Sequence, residues 1–346
     1  MPTKPFIRNS SLADIQSWLV ENGFQKFRAQ QIFEKIWKQG VQTFNQINNI
    51  PIALREALNV HFSIGAVQEK MRQVSTDGTI KVIFELHDGK IVEGVLIPAG
   101  TRMTACVSSQ VGCSLDCKFC ATGYLPRERN LESFEIFDQV KLIHQIALEK
   151  YDQKLSNIVY MGMGEPLLNY KNVVNSVKQL TDEHKWGLSP KRITLSTSGI
   201  TKMIKKLADE DLNVNLALSL HAANDEKRSA IMPINDSNNL TDLSAAMQYW
   251  VGKTGIRPTL EYCVIADTNA EEEEAIELVK FAKQFPCKIN LIEYNPISFA
   301  DFDKANVEKI ENFAAILQRH NLIVNVRRSR GKDIDAACGQ LAGKQD

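Results

Sequence analysis

The chain has 346 residues, of which 44% are hydrophobic and 24% are charged, and its 41 basic and 41 acidic residues balance. This composition excludes collagen-like, low-complexity and disordered chains and is typical of a globular protein. No apolar run approaches the ~20 residues that span a bilayer, and the N-terminal MPTKPFIRNS lacks the apolar core of a signal peptide. We therefore expect a soluble cytoplasmic protein with no membrane partner.

The first hundred residues predict helices and then a small antiparallel sheet. Ser11 and Asp14 form a capping-box pattern, and Pro51 precedes a short helical run. Strand-like runs follow at 67–75, 79–87 and 90–97, separated by Asp-Gly pairs that are typical of hairpins. The predicted division is a helical accessory domain, a β-meander, a main α/β domain and a C-terminal tail, over residues 1–65, 66–98, 99–326 and 327–346.

From residue 104 onward, strand and helix patterns alternate. Strands are predicted at 104–109, 157–161, 191–196, 213–219, 258–265 and 288–293, with helices beginning near 132, 169, 199, 240, 271 and 304. Six such units predict an α/β fold with a parallel sheet, either doubly wound or a partial barrel. Because the unusual residues follow the carboxyl ends of strands, which a barrel gathers on one rim, we predict a partial (β/α)6 barrel.

The cysteines indicate a metal centre. Four of the seven lie between Cys106 and Cys120, and Cys113, Cys117 and Cys120 have the spacing C-x3-C-x2-C. Three thiolates on one loop can bind three irons of a four-iron cluster and leave the fourth iron open to a substrate. A zinc site completed by Cys106 is the competing interpretation, although zinc sites favour paired C-x2-C knuckles. Here a single loop with three cysteines follows a strand, without a second pair, and we therefore predict an iron–sulfur cluster.

Several segments carry a family resemblance. The cysteine loop, followed by Gly-Glu-Pro after the second strand, resembles the radical S-adenosylmethionine superfamily. More closely, the chain resembles the bacterial dual-specificity RNA methyltransferase family that modifies carbon 2 of adenine. The matching segments are CVSSQVGCSLDCKFCATG (106–123), VYMGMGEPLLN (159–169), TLSTSG (194–199), LSLHA (218–222), MPIN (232–235), EYNP (293–296) and DIDAACGQLAG (333–343). The helical N-terminus is in keeping with the family's extra RNA-binding domain but matches less distinctively.

The resemblance implies two cofactors and the residues that hold them. Cys113, Cys117 and Cys120 would ligate a 4Fe-4S cluster, and S-adenosyl-L-methionine would bind the open iron. Contacts to this second cofactor would come from Gly164, Glu165, Ser196, Ser219, Leu220, His221 and Asn295. On residue type alone, Ser and Asn at strand ends commonly cap the next helix, and an isolated His is more often structural.

The resemblance also implies three catalytic residues. Cys338 would carry the methyl group as S-methylcysteine, Cys106 would resolve the RNA adduct by forming a disulfide with Cys338, and Glu93 would accept a proton. Without the resemblance, Cys338 would be incidental and Glu93 would be an exposed or Lys-paired acid. Gly94 departs from the family pattern, where a β-branched residue is expected, and we expect it to loosen the strand that carries Glu93.

The expected partners follow from the same resemblance. They are ribosomal RNA, transfer RNA and a reducing electron donor such as flavodoxin or ferredoxin, with the enzyme as a monomer. The target adenine must leave its stack to enter a barrel mouth. A basic stretch without acids, Arg319, Arg327, Arg328, Arg330 and Lys332, could contact RNA or form a solvated edge. Two alternatives stay open: an adenine carbon-8 methyltransferase and a non-catalytic, zinc-stabilised RNA-binding protein.

Overall fold

A computed structural model of the chain describes residues 4–343. Its α-helices are α1 (Leu12–Glu21), α2 (Arg28–Trp37), α3 (Ile52–His61), α4 (Ser133–Tyr151), α5 (Tyr170–Thr181), α6 (Thr201–Ala208), α7 (Asp225–Ile231), α8 (Leu240–Thr254), α9 (Glu272–Ala282) and α10 (Val307–Arg319). Its strands are β1 (Val67–Val74), β2 (Ile80–Leu86), β3 (Ile91–Ala99), β4 (Arg102–Cys106), β5 (Gln110–Val111), β6 (Arg129–Asn130), β7 (Asn157–Tyr160), β8 (Ile193–Thr197), β9 (Asn215–Ser219), β10 (Thr259–Val264), β11 (Lys288–Glu293) and β12 (Val324–Arg327). None of the helices within this range is both long enough and apolar enough to cross a membrane.

The N-terminal helices pack onto α4. At the start of α1, the Ser11 hydroxyl accepts a hydrogen bond from the Asp14 amide at 3.1 Å, and the Asp14 carboxylate accepts one from the Ser11 amide at 2.7 Å, as the capping box predicts. Trp37 of α2 meets Phe137 of α4 edge-on, with ring centroids 4.9 Å apart. The fully buried Arg8 forms an ion pair with Asp138 of α4, so apolar and ionic contacts join this segment to the main domain.

One ten-stranded sheet runs through the molecule in the order β1-β2-β3-β4-β7-β8-β9-β10-β11-β12. The first four strands are antiparallel neighbours, and every later pairing, from β4·β7 to β11·β12, is parallel. The predicted meander, the six parallel strands and the α/β class are confirmed. The additional parallel strand β12 was not predicted, because its alternation of apolar and polar residues extends over only four residues.

Successive side chains along the parallel strands point to opposite faces of the sheet, one apolar and one polar. Leu195 on β8 and Leu218 on β9 are fully buried in the main core together with Leu243 of α8. Ser196 and Ser219, the next residues along the same strands, point to the opposite face and are half-buried. The helices therefore cover one face, and the polar residues predicted to bind a cofactor line the other.

Gly94 does not loosen its strand. It lies within β3, paired with Val82 of β2. A Cβ atom at this position would lie 2.8 Å from the Phe84 ring and 3.1 Å from the Cys106 carbonyl oxygen. The glycine is therefore required by a close approach between β3, β2 and β4, and the expectation of a loosened strand was wrong.

Candidate active site at the carboxyl ends of the strands

The cysteine loop follows β4 and is shaped by a glycine. Gly112 has φ +73°, and a Cβ there would lie only 2.0 Å from the Pro126 carbonyl oxygen, so another residue would displace the returning chain. Cys113, Cys117 and Cys120 are half-buried, and burial is the largest cause that raises the pKa of each thiol, for Cys113 to about 11. As free thiols they stay protonated at neutral pH, and metal binding would deprotonate them.

The three thiols suit a cluster better than a single ion. A tetrahedral zinc ion needs sulfurs about 2.3 Å from one point. Among residues 4–343, no three His, Cys, Asp or Glu side chains converge in that way. Thiolates that each bind a different iron need no such convergence, and Cys113 and Cys120 lie close enough for their charges to act on Cys117, so the loop supplies the three thiols that a 4Fe-4S cluster needs.

Glu165 joins the ends of β7 and β8. Its carboxylate accepts hydrogen bonds from the amide and hydroxyl of Ser198, each at 2.8 Å, and from the Leu167 amide at 2.9 Å. The side chain is buried, and desolvation raises its pKa despite these bonds. Gly164 has φ +91°, and a Cβ atom added to it would lie only 2.4 Å from the Cβ of Gln110. The glycine therefore lets the chain pass close to Gln110. Both carboxylate oxygens already have partners, and a further contact to a cofactor stays a prediction.

Ser196, Ser219 and His221 meet at the neighbouring strand ends. The two serine hydroxyl oxygens lie 3.5 Å apart. His221 adopts φ +57°, its Nδ1 accepts a hydrogen bond from the Cys263 amide at 3.0 Å, and its ring packs edge-on against Phe119 of the cysteine loop, with centroids 4.6 Å apart. Burial lowers the pKa of His221 to about 3. A neutral imidazole therefore supports the cysteine loop.

Leu220 differs from the other predicted cofactor contacts. Its side chain is fully buried in the main core. Its backbone carbonyl accepts a hydrogen bond from Nε of Arg228 at 3.0 Å. The structure thus places the Leu220 side chain away from the polar face that carries Ser196 and Ser219.

Arg228 of α7 is a central residue of the site that the sequence analysis missed. It is fully buried, and its Nη2 donates to the carbonyl oxygens of Ser198 at 2.6 Å and of Ser219 at 3.2 Å. Its Nη1 donates to Asn235 of the MPIN segment at 2.9 Å. Burial lowers its pKa to about 10, so the guanidinium stays charged at neutral pH. The MPIN segment therefore holds the cation that ties the ends of β8 and β9.

The C-terminal tail lies across the loops that follow the carboxyl ends of β4 and β11. The Cys338 carbonyl accepts a hydrogen bond from Nδ2 of Asn295 at 3.2 Å. The Gly339 carbonyl accepts one from the Ala121 amide at 2.7 Å, and the Leu341 carbonyl one from the Thr122 hydroxyl at 2.6 Å. The loop after β11 and the cysteine loop thus hold the tail from two sides.

The tail brings the three predicted catalytic residues together. Glu93 is buried, and its carboxylate accepts a hydrogen bond from the Ala342 amide at 3.2 Å. Cys106 pairs with Val95 in the adjacent strand, two residues from Glu93. The Cys338 side chain is open to solvent, yet it lies close enough for its charge to act on Cys106. Burial is the main cause that raises the pKa of the Cys106 thiol to about 12. Glu93 is therefore not the exposed acid that residue type alone allowed.

Part of the basic stretch anchors the tail and so has a structural role. Arg328 donates to the Glu293 carboxylate at 2.7 Å and Lys332 at 2.6 Å, while Lys304 lies 3.4 Å from it. Burial alone would raise the pKa of Glu293, but the hydrogen bonds from Lys332 and Arg328 outweigh it and lower the pKa to about 2. One buried carboxylate at the end of β11 thus holds three cations.

We expect Glu293→Gln to destabilise the protein by about 2 kcal/mol at pH 7. The folded pKa is depressed, so the stabilisation is fully present above the unfolded value near 4.5 and is lost as the pH falls towards about 2. Urea unfolding of both proteins at several pH values measures the difference, which should shrink below pH ~4.5. Glu311→Gln is the control, because Glu311 meets Arg328 only at the surface. A pH-independent difference would contradict the assignment.

The chain is similar to two family models and to curated bacterial proteins. A family model described as the radical SAM superfamily matches residues 107–285, and one described as the ribosomal RNA large subunit methyltransferase N-terminal domain matches residues 7–64. A curated protein of Cytophaga hutchinsonii, "Probable dual-specificity RNA methyltransferase RlmN", is 54% identical over 99% of this chain and 94% of its own. A Bacillus licheniformis protein of the same name is 41% identical over the same shares.

The fold has a solved counterpart. The crystal structure of a radical SAM methyltransferase from Sphaerobacter thermophilus superposes with a TM-score of 0.94 at 38% identity, and the match covers 98% of this chain and 100% of that one. The similarity thus includes the N-terminal helices, the sheet and the tail together.

Proposed function

The chain belongs to the radical SAM superfamily and, within it, to the RlmN family of RNA methyltransferases, and we propose that it methylates carbon 2 of an adenine in large-subunit ribosomal RNA and in tRNA. The observation that supports the proposed mechanism is the tail: Cys338 lies close enough for its charge to act on Cys106, and the Ala342 amide of the same tail donates to the buried Glu93. The relatives' name, dual-specificity RNA methyltransferase, supports the two RNA substrates.

The chain's residues fit a 4Fe-4S cluster and S-adenosylmethionine, the cofactors of the superfamily. Cys113, Cys117 and Cys120 would hold the cluster. The polar face formed by Ser196, Ser219 and the surroundings of Glu165 would hold S-adenosylmethionine. When bound, these cofactors supply a methyl group and a one-electron route to a carbon radical.

The reaction needs a carrier on the protein because carbon 2 of adenine lies between two ring nitrogens and is electron-poor. It is no nucleophile for a sulfonium methyl group, whereas the Cys338 sulfur is. Cys338 holds the methyl carbon as a thioether and then as a link to the base, and Glu93 accepts the proton from carbon 2. Cys106 sulfur attacks Cys338 sulfur, so that the S–S bond forms as the bond from Cys338 sulfur to the transferred carbon breaks. That carbon leaves with the electron pair of the broken bond and takes up a proton, which completes the methyl group on the base.

Two alternatives are weighed against this proposal. Membership in an enzyme family removes the non-catalytic, zinc-stabilised RNA-binding protein. The adenine carbon-8 methyltransferase would use the same cysteines and tail. The segment Gly-Glu-Pro-Leu-Leu-Asn at 164–169 resembles the carbon-2 enzymes more closely, and we therefore favour carbon 2.

The proposal also includes the electron donor, the oligomeric state, the domain division and the location of the protein. Flavodoxin or ferredoxin as electron donor, a monomeric state and the four-part domain division stay predictions. A cytoplasmic location suits free thiols that must be reduced again after each turnover.

Peptide mass spectrometry on Cys338 tests the mechanism. Protein purified without oxygen after expression with iron should carry one added methyl group on Cys338, and the Cys338→Ala variant should carry none on that peptide. Cys287→Ala, which removes a half-buried thiol in the segment between α9 and β11, should leave the modification in place. An unmodified Cys338 in protein that holds its cluster would contradict the carrier role.

A further inference from the structure

Two solvent-exposed aromatic rings stack on each other at the mouth of the barrel, where the loops after the carboxyl ends of the strands lie. Tyr124 and Phe299 have ring centroids 5.3 Å apart and an interplanar angle of 20°. Their residues are 44% and 47% exposed, respectively. Each ring therefore covers one face of the other and leaves apolar surface in contact with water.

The pair joins the two loops that hold the Cys338 tail. Tyr124 ends the turn Ala121–Tyr124, whose first amide donates to the Gly339 carbonyl at 2.7 Å. Phe299 follows Asn295 and Pro296, whose side-chain amide and carbonyl bond the tail at Cys338 and Gln340. On each of the two loops, the stacked ring therefore lies only a few residues along the chain from the groups that contact the tail.

Two exposed cations, Lys118 and Arg127, lie on the same loop as Tyr124. The Tyr124 hydroxyl donates to the Lys118 carbonyl at 3.0 Å, which brings this exposed lysine next to the ring. Within the part of the chain that the structure describes, the Lys118 ammonium has no hydrogen-bond or ion-pair partner. Arg127 is exposed, and its guanidinium makes one long contact, 3.4 Å to Asn130. Exposed rings with exposed cations on the same loop match a single strand of nucleic acid, whose bases stack and whose phosphates are anionic.

We propose that the Tyr124–Phe299 pair stacks on an unpaired nucleobase next to the target adenine, with Lys118 and Arg127 at the adjacent phosphates. This inference rests on the proposed RNA methyltransferase function and adds a residue-level RNA contact to it. An adenine that enters the mouth must leave its stack, and its neighbours then lose a stacking partner. An exposed aromatic pair at the mouth replaces that partner. A protein partner would need a larger interface than two rings offer.

The first test measures stacking directly. A hairpin RNA carries an adenine in its loop and 2-aminopurine at the two flanking loop positions, and it is mixed with cluster-loaded enzyme without S-adenosylmethionine. Stacking on the rings should quench the 2-aminopurine fluorescence. Tyr124→Ala and Phe299→Ala should abolish the quenching and weaken RNA binding about 10- to 100-fold, because each stacked base contributes at this level. Tyr124→Phe should behave as the native protein does.

Tyr249→Ala is the matched control, since Tyr249 is also exposed, at 40%, but lies on α8 and hydrogen-bonds Asp209. It should change neither fluorescence nor affinity. Unchanged quenching and affinity in the Tyr124→Ala/Phe299→Ala double variant would overturn the proposal.

The second test separates RNA contact from a purely structural role of the pair. Methylation of Cys338 requires no RNA, so the ring variants should carry the Cys338 methyl group at the native level. Loss of that group in both variants would mean that the stack only holds the loops together, and would overturn the proposal. Absence of the methyl group in the native protein would instead refute the proposed function, while the fluorescence result would still report on RNA stacking.

Discussion

Cys106→Ala will stop the enzyme after one encounter with RNA and leave the RNA attached covalently to Cys338. Cys106 lies at the end of β4, next to the strand that carries Glu93, and Cys338 lies close enough to affect its pKa. With no thiol at position 106, the sulfur–carbon bond to the base has no nucleophile to break it. We expect turnover to fall below detection while the adduct accumulates to about one per active enzyme.

Denaturing gel electrophoresis with labelled RNA measures the adduct, and digestion followed by peptide mass spectrometry locates it. The double variant Cys106→Ala/Cys338→Ala must show no adduct, because it lacks the carrier. Cys263→Ala is the matched control. Its thiol is buried and lies near Cys338, so it tests whether any thiol in the mouth can resolve the adduct. Normal turnover by Cys106→Ala would remove Cys106 from the mechanism.

The positions of the residues predicted to contact the cofactor followed from chain order. Residues after the strands of a parallel sheet meet at one edge, whatever the distances between them in sequence. The cysteine loop, Ser196 and Ser219 lie on one side of the molecule, as this rule predicts. The antiparallel meander was predicted from local turn chemistry, since Asp-Gly pairs are typical of short hairpins.

Contacts between distant segments were beyond the reach of sequence patterns. The Cys338 tail is held by Asn295 and Thr122, and no periodicity links these positions. Arg228 lies on a short helix, and three of its four side-chain hydrogen bonds reach backbone carbonyls. Backbone carbonyls have no sequence signature, so such a partner set becomes visible only in three dimensions.

Gly94 and Glu293 show how residue type alone misleads. A glycine in a strand commonly weakens it, but here the Phe84 ring occupies the space where a side chain would lie. The basic stretch suggested RNA contact, but Arg328 and Lys332 neutralise one buried carboxylate. In both cases the deciding neighbour is remote in sequence.

Arg228→Met should destabilise the protein by about 3–5 kcal/mol. Methionine fills much of the space but donates no hydrogen bond, so the buried carbonyls of Ser198 and Leu220 and the Asn235 side chain lose their partner. Urea unfolding of the cluster-free protein measures the change without contributions from bound cofactors. Arg228→Lys should lose less, because an ammonium keeps the charge and can reach some of the same acceptors.

The same substitution should weaken S-adenosylmethionine binding by more than the stability change alone explains. Arg228 bonds the carbonyls of Ser198 and Ser219, and Ser198 in turn donates to Glu165. Without the guanidinium, the ends of β8 and β9 are no longer held at one spacing. We expect a Kd at least about tenfold higher by calorimetry on cluster-loaded protein, which corresponds to ~1.4 kcal/mol. Arg192→Ala, at an exposed position before β8, should change neither quantity. A fully stable Arg228→Met protein with native affinity would show that strand pairing alone positions this edge, because the central hydrogen-bond donor would then be dispensable.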